Sequence, residues 1–233
     1  IIKMHNFSIV IPIFNESQNI YKLINEIFFC LNQKNYIFEI ILVNDGSTDD
    51  TVEVVAKLRK IHQINLINNR KNFGQSFSIY EGIKKSLYKT IVTIDGDGQN
   101  NPVDIIKLLN IFFEKNKYSL VGGIRKNRKD SFLKIFSSKI ANRIRSFILD
   151  DDCLDTGCSL KIFSKDVFLQ FPLFDGLHRF LPALFKGYGN KTFFVDVDHR
   201  SRYAGISKYG TFKRLFKGIK DIIKVWYIIK SRN

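Results

Sequence analysis

Through its first 123 residues the chain alternates short, β-branched apolar runs with stretches whose apolar residues recur at steps of three and four. Runs of that length are strands. Strands separated by helices pair in parallel, because a parallel return needs a crossover of a dozen residues or more. Phe7–Phe14 (FSIVIPIF) is almost wholly apolar, as a strand buried on both faces must be. Helical spacing follows over Asn19–Leu31, through Ile20, Leu23, Ile24, Ile27 and Phe28. Glu39–Asn44, Asn65–Asn68, Thr90–Asp95 and Tyr118–Gly123 read as further strands, with helices over Asp49–Ile61, Gly74–Leu87 and Pro102–Phe113 between them. The prediction is an α/β fold: a doubly wound, mostly parallel sheet that binds ligands at the carboxyl ends of its strands.

After residue 123 the pattern loosens. Ser131–Leu149 is basic and helix-like, Cys158–Phe163 and Lys191–His199 read as strands, and Gly176–Lys186 as a short helix. Charge now becomes informative. The chain carries 37 Lys and Arg against 22 Asp and Glu, a net +15, and residues 117–233 hold 24 of the basic and only 10 of the acidic side chains. A polyanion suits such a half, and on charge alone anionic lipid and nucleic acid both qualify. At 45% hydrophobic and 25% charged residues, the chain is neither a disordered tail nor a fibrous repeat. Cys30, Cys153 and Cys158 are odd in number and lack C-x-x-C spacing, which points to packing residues in a reducing compartment. No apolar run approaches about 18 residues, and no export signal is expected at the N-terminus.

Three strand ends carry chemistry. Asp45-Gly46-Ser47-Thr48-Asp49-Asp50 follows the second strand. Ser47, Thr48 and Asp49 suit a helix cap, whereas Asp45 precedes the turn and has no capping duty. At the fourth strand end, Asp95-Gly96-Asp97-Gly98-Gln99 sets two carboxylates two residues apart. Such a pair suits a hard divalent cation, which fills its other positions with water and phosphate oxygens. Gln99 adds a further oxygen. Asn15-Glu16 closes the first strand.

P-x-x-N-E, V-N-D-G-S-T-D-D and D-G-D-G-Q at these three strand ends resemble the family-2 glycosyltransferases, whose nucleotide-sugar fold is called GT-A. Asn44 departs from the second acid the family often places before Asp45. The resemblance implies that Pro12, Phe14, Glu16 and Asp45 contact the nucleoside. It places the diphosphate and a Mg2+ or Mn2+ ion at Asp95, Gly96, Asp97 and Gln99. In the second half, Val121–Lys139, D-T-G-C (Asp155–Cys158), H-R-F-L-P-A-L (His178–Leu184) and H-R-S-R-Y-A-G-I-S-K-Y-G (His199–Gly210) look like the dolichol-phosphate mannose synthase branch and its bacterial polyprenyl-phosphate relatives. That branch implies an acceptor phosphate held by Arg125, Lys134 and Ser138. Lys134 stands where many relatives have Arg, which turns a bidentate contact into a point charge. Lys134 and Ser138, four apart, share one face of a helix. Arg202 and Lys208 suit a diphosphate leaving group. Asp155 is expected to orient the sugar or a basic residue, and His178 and Arg179 are as well explained by burial or a structural hydrogen bond.

The expectation is a metal-dependent, inverting transferase moving a sugar from a nucleotide diphosphate sugar to a polyprenyl phosphate at the cytoplasmic membrane face. Residues 1–210 would form one GT-A domain, with 1–123 taking the nucleotide sugar and 124–210 the acceptor. Residues 211–233 would form an amphipathic membrane-surface helix with the stripe Phe212, Leu215, Phe216, Ile219, Ile222, Ile223 and Trp226. Relatives of this kind continue into transmembrane helices or pair with a small membrane protein. Two other readings stay open: transfer to a glycan hydroxyl with Asp155 as base, and a non-catalytic basic module binding lipid or nucleic acid. The carboxylate loops argue against the last, and nucleic acid is not expected as a partner.

Overall fold

The apolar run at the N-terminus becomes the centre of the molecule. In the computed structural model, which describes residues 5–34, 36–115, 119–126, 142–202 and 211–232 (side chains of the last segment from 218 onward), β1 spans Asn6–Ile13. Phe7, Ile9, Ile11 and Ile13 face one core and Val10 the other, so both faces of the strand are buried. It pairs in parallel with β2 (Ile37–Asn44) on one side and β4 (Thr90–Thr93) on the other, and β3 (Ile64–Asn68) lies outside β2.

The remaining strands are β5 (Leu120–Arg125), β6 (Lys161–Ser164) and β7 (Thr192–Val197), and the sheet runs β3-β2-β1-β4-β6-β5-β7. β6 is antiparallel to both β4 and β5, while β7 returns parallel to β5. The sheet is therefore mostly parallel, as expected, with one reversed strand that the apolar pattern did not reveal. Hydrophobicity reports burial, not direction.

Helices α1 (Ile20–Asn32), α2 (Thr51–Leu58) and α4 (Val103–Lys115) cover one face. The other face is covered by α3 (Gln75–Lys85), α5 (142–149), the single turn α6 (Lys165–Phe168), α7 (Leu181–Gly187) and α8 (Thr211–Lys230). The predicted helix at 176–186 is split: a 3-10 turn at Leu177–Arg179 precedes α7. Strand order reverses at β1, which leaves a crevice at the carboxyl ends of β1 and β4, where open α/β sheets bind ligands.

The stripe expected on α8 divides between two surfaces. Val225 is buried, Ile222 and Ile229 pack on the same core, and Asp221 pairs with Arg179 at 3.0 Å. Ile219, Ile223, Trp226 and Tyr227 face outward. Phe212, Leu215 and Phe216 have side chains outside the described residues.

Candidate active site

The first two loops at the crevice are laced together by short polar side chains. Asn15, held at a φ of 54°, accepts the Thr48 N–H at 2.8 Å and donates its own N–H to Ser47 Oγ at 3.0 Å. Glu16 N–H donates to Thr51 Oγ1 and Ser17 N–H to Asp49. Burial alone would raise the pKa of Asp49, but hydrogen bonds from Thr51 and Ser17 outweigh it and hold the carboxyl below its usual value. Asn44 accepts the Ser47 N–H and donates to Asn68 at 3.0 Å.

Asp45 is buried, and it organises the next loop. Its carboxylate accepts from Asn69 at 2.8 Å and from the Phe73 and Gly74 N–H groups at 3.0 and 2.8 Å. The loop passes so close that a Cβ on Gly46 (φ 73°) would lie 2.7 Å from the Lys71 carbonyl carbon. Pro12 and Phe14 stand half-buried at the end of β1, and Glu16 accepts from Asn19 at 2.6 Å.

The paired carboxylates follow β4. Asp95 accepts from Gln75 at 2.7 Å and donates its N–H to Ser159 Oγ. Burial and then the charge of Asp97 push its pKa up to about 7, against the Ser159 hydrogen bond and the charges of Lys161 and Arg125. Two like charges crowded together in this way are what a divalent cation relieves. Gly96 and Asp97 are buried, and Asp97 accepts the Gln99 N–H and pairs with Arg202 at 2.8 Å. Gln99 in turn accepts the Arg200 N–H through its carbonyl. Among the described residues no cluster of three or more His, Cys, Asp and Glu could hold a metal. Two carboxylates and an amide oxygen still suit Mg2+ or Mn2+, which take their remaining oxygens from water and phosphate.

On the far side, Arg125 ends β5 and forks onto Asp155. Nε donates to Oδ2 and Nη2 to Oδ1, both at 2.7 Å, and the Arg125 N–H adds a third bond at 3.1 Å. Gly157 makes room, since a Cβ there would come 2.6 Å from Nη2. With both oxygens engaged, Asp155 orients a basic residue, one of the two roles expected of it, and is poorly placed to act as a base. Lys134, Ser138 and Lys208 lie outside the described residues. His178 bonds Ser76 at 2.7 Å and Arg179 tethers α8, so both have structural duties.

Sequence reasoning missed Gln75, Ser159, Arg145 and Lys161. The last two carried a signal: Lys161 interrupts an apolar strand, and Arg145 lies one helical turn from Leu149, on the inward face of α5.

The sequence profile described as Glycosyl transferase family 2 matches residues 8–171. The chain belongs to glycosyl transferase family 2. The dodecaprenyl-phosphate galacturonate synthase of Rhizobium johnstonii is 35% identical over 97% of this family-2 chain and 68% of its own length. The undecaprenyl-phosphate 4-deoxy-4-formamido-L-arabinose transferase of Pectobacterium carotovorum is 31% identical over 94% of the chain and 66% of its own. The chain thus spans about two thirds of the length of these relatives. Among solved structures, mannosyl-3-phosphoglycerate synthase from Rubrobacter xylanophilus superposes with a TM-score of 0.76 at 14% identity, over 99% of this chain and 76% of that one. Glucosyl-3-phosphoglycerate synthase from Mycobacterium tuberculosis, bound to Mn2+, UDP and glucosyl-3-phosphoglycerate, gives 0.71 at 14% identity, over 97% and 80%. These likenesses establish the GT-A fold.

Proposed function

We propose that this family-2 chain transfers a sugar from a nucleotide diphosphate sugar to a polyprenyl phosphate, with a divalent cation at Asp95 and Asp97. The observation that carries this reading is the proximity of unlike charges. Asp97 of the carboxylate pair lies 2.8 Å from the Arg202 guanidinium, and Arg125 is fixed by Asp155 at the end of β5. Relatives named for dodecaprenyl and undecaprenyl phosphates point to the same acceptor class.

The chemistry is positional. A phosphate monoester oxygen is already ionised near neutral pH, so no strong base is needed, and Asp155 is spent on orienting Arg125. Attack by that oxygen opposite the leaving diphosphate inverts the sugar in one step. The cation supplies charge neutralisation at the diphosphate. Asp45 and the laced first loops frame the nucleoside, Arg202 is placed to pass from Asp97 to the leaving phosphates, and Arg125, with Lys134 and Ser138, takes the acceptor phosphate.

The membrane side is part of the same reading. On α5 the residues Ile144, Phe147 and Ile148 face outward, Phe147 at 90% exposure, with exposed Arg143 on the same face, and Leu154 is exposed as well. The outer face of α8 adds Ile219, Ile223, Trp226 and Tyr227 among exposed Lys220, Lys224 and Lys230. Both helices rest on one core, and each basic residue near anionic lipid is worth about 1 kcal/mol. This surface would meet the cytoplasmic leaflet, where nucleotide sugars are available.

The test is a screen of UDP- and GDP-sugars against short polyprenyl phosphates with Mn2+, reading lipid-linked sugar. Product with a polyprenyl phosphate supports the proposal; turnover only on glycan hydroxyls overturns it.

A further inference from the structure

The segment from 151 to 158 carries Asp155, yet it has no regular secondary structure and holds its shape through two buried cations. Arg145 reaches it from α5. Its guanidinium pairs with Asp151 at 2.8 Å and donates to Thr156 Oγ1 at 2.8 Å, to Asn142 at 2.7 Å and to the Cys153 carbonyl. Asp151 also accepts the Cys153 N–H at 3.1 Å. The chain reverses around this head group with Asp150 and Asp152 at φ 48° and 51°, a left-handed conformation that non-glycine residues seldom adopt.

Lys161 reaches the same segment from the opposite side. It sits in β6, opposite Thr93 of β4 and Gly122 of β5, and donates to the Thr156 and Cys158 carbonyls. It is 3% exposed, and no carboxylate among the described residues lies within ion-pair distance of it. A buried ammonium with no ion-pair partner among the described residues is costly even though its charge reaches Asp95. Apolar residues would fill a mid-sheet position at less cost, so the charge calls for an explanation that packing does not supply.

We infer that Arg145 and Lys161 are positioning residues for transfer: from two sides they fix residues 151–158, so that both oxygens of Asp155 hold Arg125 in one orientation. Asp155 engages the Nε–Nη2 edge of the planar group, which fixes the direction of the remaining edge. Arg145 pairs with Asp151 and Arg125 with Asp155, so Lys161 acts on the site through the segment it holds. A phosphate monoester binds more tightly to a guanidinium that is held in its binding orientation beforehand. The inference rests on the reading of Arg125 as an acceptor-phosphate ligand.

The closing experiment separates the two. With 15N-labelled arginine, the Arg125 Nε–H is assigned by its loss in Arg125→Lys, and its exchange with water is measured in Lys161→Met, Lys161→Arg and Arg145→Lys. Exchange should quicken at least tenfold in Lys161→Met and Arg145→Lys, with cooperative melts retained, and Lys161→Arg should restore part of the protection. Unchanged exchange in Lys161→Met and Arg145→Lys overturns the inference. Should Arg145→Lys fail to fold, Thr156→Val removes one of its acceptors and serves in its place. Calorimetry then follows geranyl phosphate and, separately, UDP with Mn2+. Geranyl phosphate affinity should fall about tenfold in Lys161→Met while UDP affinity stays within twofold, and in an Asp155→Asn background the added loss should vanish. A loss that persists in that background overturns the inference, because the lysine would then act without Asp155. Absence of geranyl phosphate binding to the unaltered protein would instead sink the phosphate reading, and the exchange data would still decide the positioning role.

Discussion

The loops after β1 and β2 and the segment that carries Asp155 are held still by opposite means. Around Asp45 and Asn15, carboxylate and amide oxygens gather backbone N–H groups from neighbouring loops. Around 151–158, buried cations gather backbone carbonyls. The first arrangement leaves a crevice lined with oxygens, which on the proposed function would take a cation and a nucleoside. The second leaves a site framed by positive charge, suited to an anion. Each loop is thus stabilised by groups of the sign its ligand lacks.

The comparison breaks most sharply at Asp97. Asp97→Asn should slow transfer several thousandfold, about 5 kcal/mol of transition-state stabilisation, with an unchanged melting temperature; initial rates at saturating Mn2+ check it. On the other side, Asp155→Ala should strike stability first. It leaves the Arg125 guanidinium buried without its carboxylate, at a cost of about 3 kcal/mol. For a chain of this size that is a fall of about 6–12 °C in Tm by calorimetry. An unchanged Tm would mean the fork is not built as described.

Legibility in the sequence follows the same divide. The donor loops are contiguous motifs, each within six residues of a strand end, so Asp45, Asp95 and Asp97 could be singled out from spacing and strand position. Family likeness gave Arg125, Asp155 and Arg202. The polar scaffold behind them was not legible, because Arg145, Asp151 and Lys161 meet only after β6 has reversed against β4 and β5. The apolar run around Lys161 and the spacing from Arg145 to Leu149 mark both as inward-facing, but not what they meet. The stripe on α8 was read as one surface because periodicity locates apolar residues without saying which of them a neighbouring core will claim.

Two smaller effects sharpen the electrostatic side. The pKa of Asp95 stands at about 7, so below that pH its carboxyl holds a proton that a cation must displace. Mn2+ affinity should be full near pH 8 and fall about tenfold per unit beneath pH 7, as titration calorimetry at several pH values would read. Arg202 competes for the same acid through its 2.8 Å pair with Asp97. Arg202→Ala should therefore raise Mn2+ affinity in the absence of nucleotide about fivefold, the scale of a partly exposed ion pair of about 1 kcal/mol, while slowing transfer. Weaker Mn2+ binding in that variant would remove Arg202 from the cation site altogether.

The reversed strand has an evolutionary consequence. β5 and β6 lie side by side, with Gly122 opposite Lys161, so the chain leaves the sheet after Arg125 and re-enters it at Lys161 beside the strand it left. An excursion whose two ends are already adjacent can lengthen, shorten or be exchanged without moving any strand. Doubling a flexible loop costs only about 0.6 kcal/mol in closure entropy. On the function proposed above, in which this stretch carries the acceptor site, acceptor choice could change by replacing it while the strands before it stay in place.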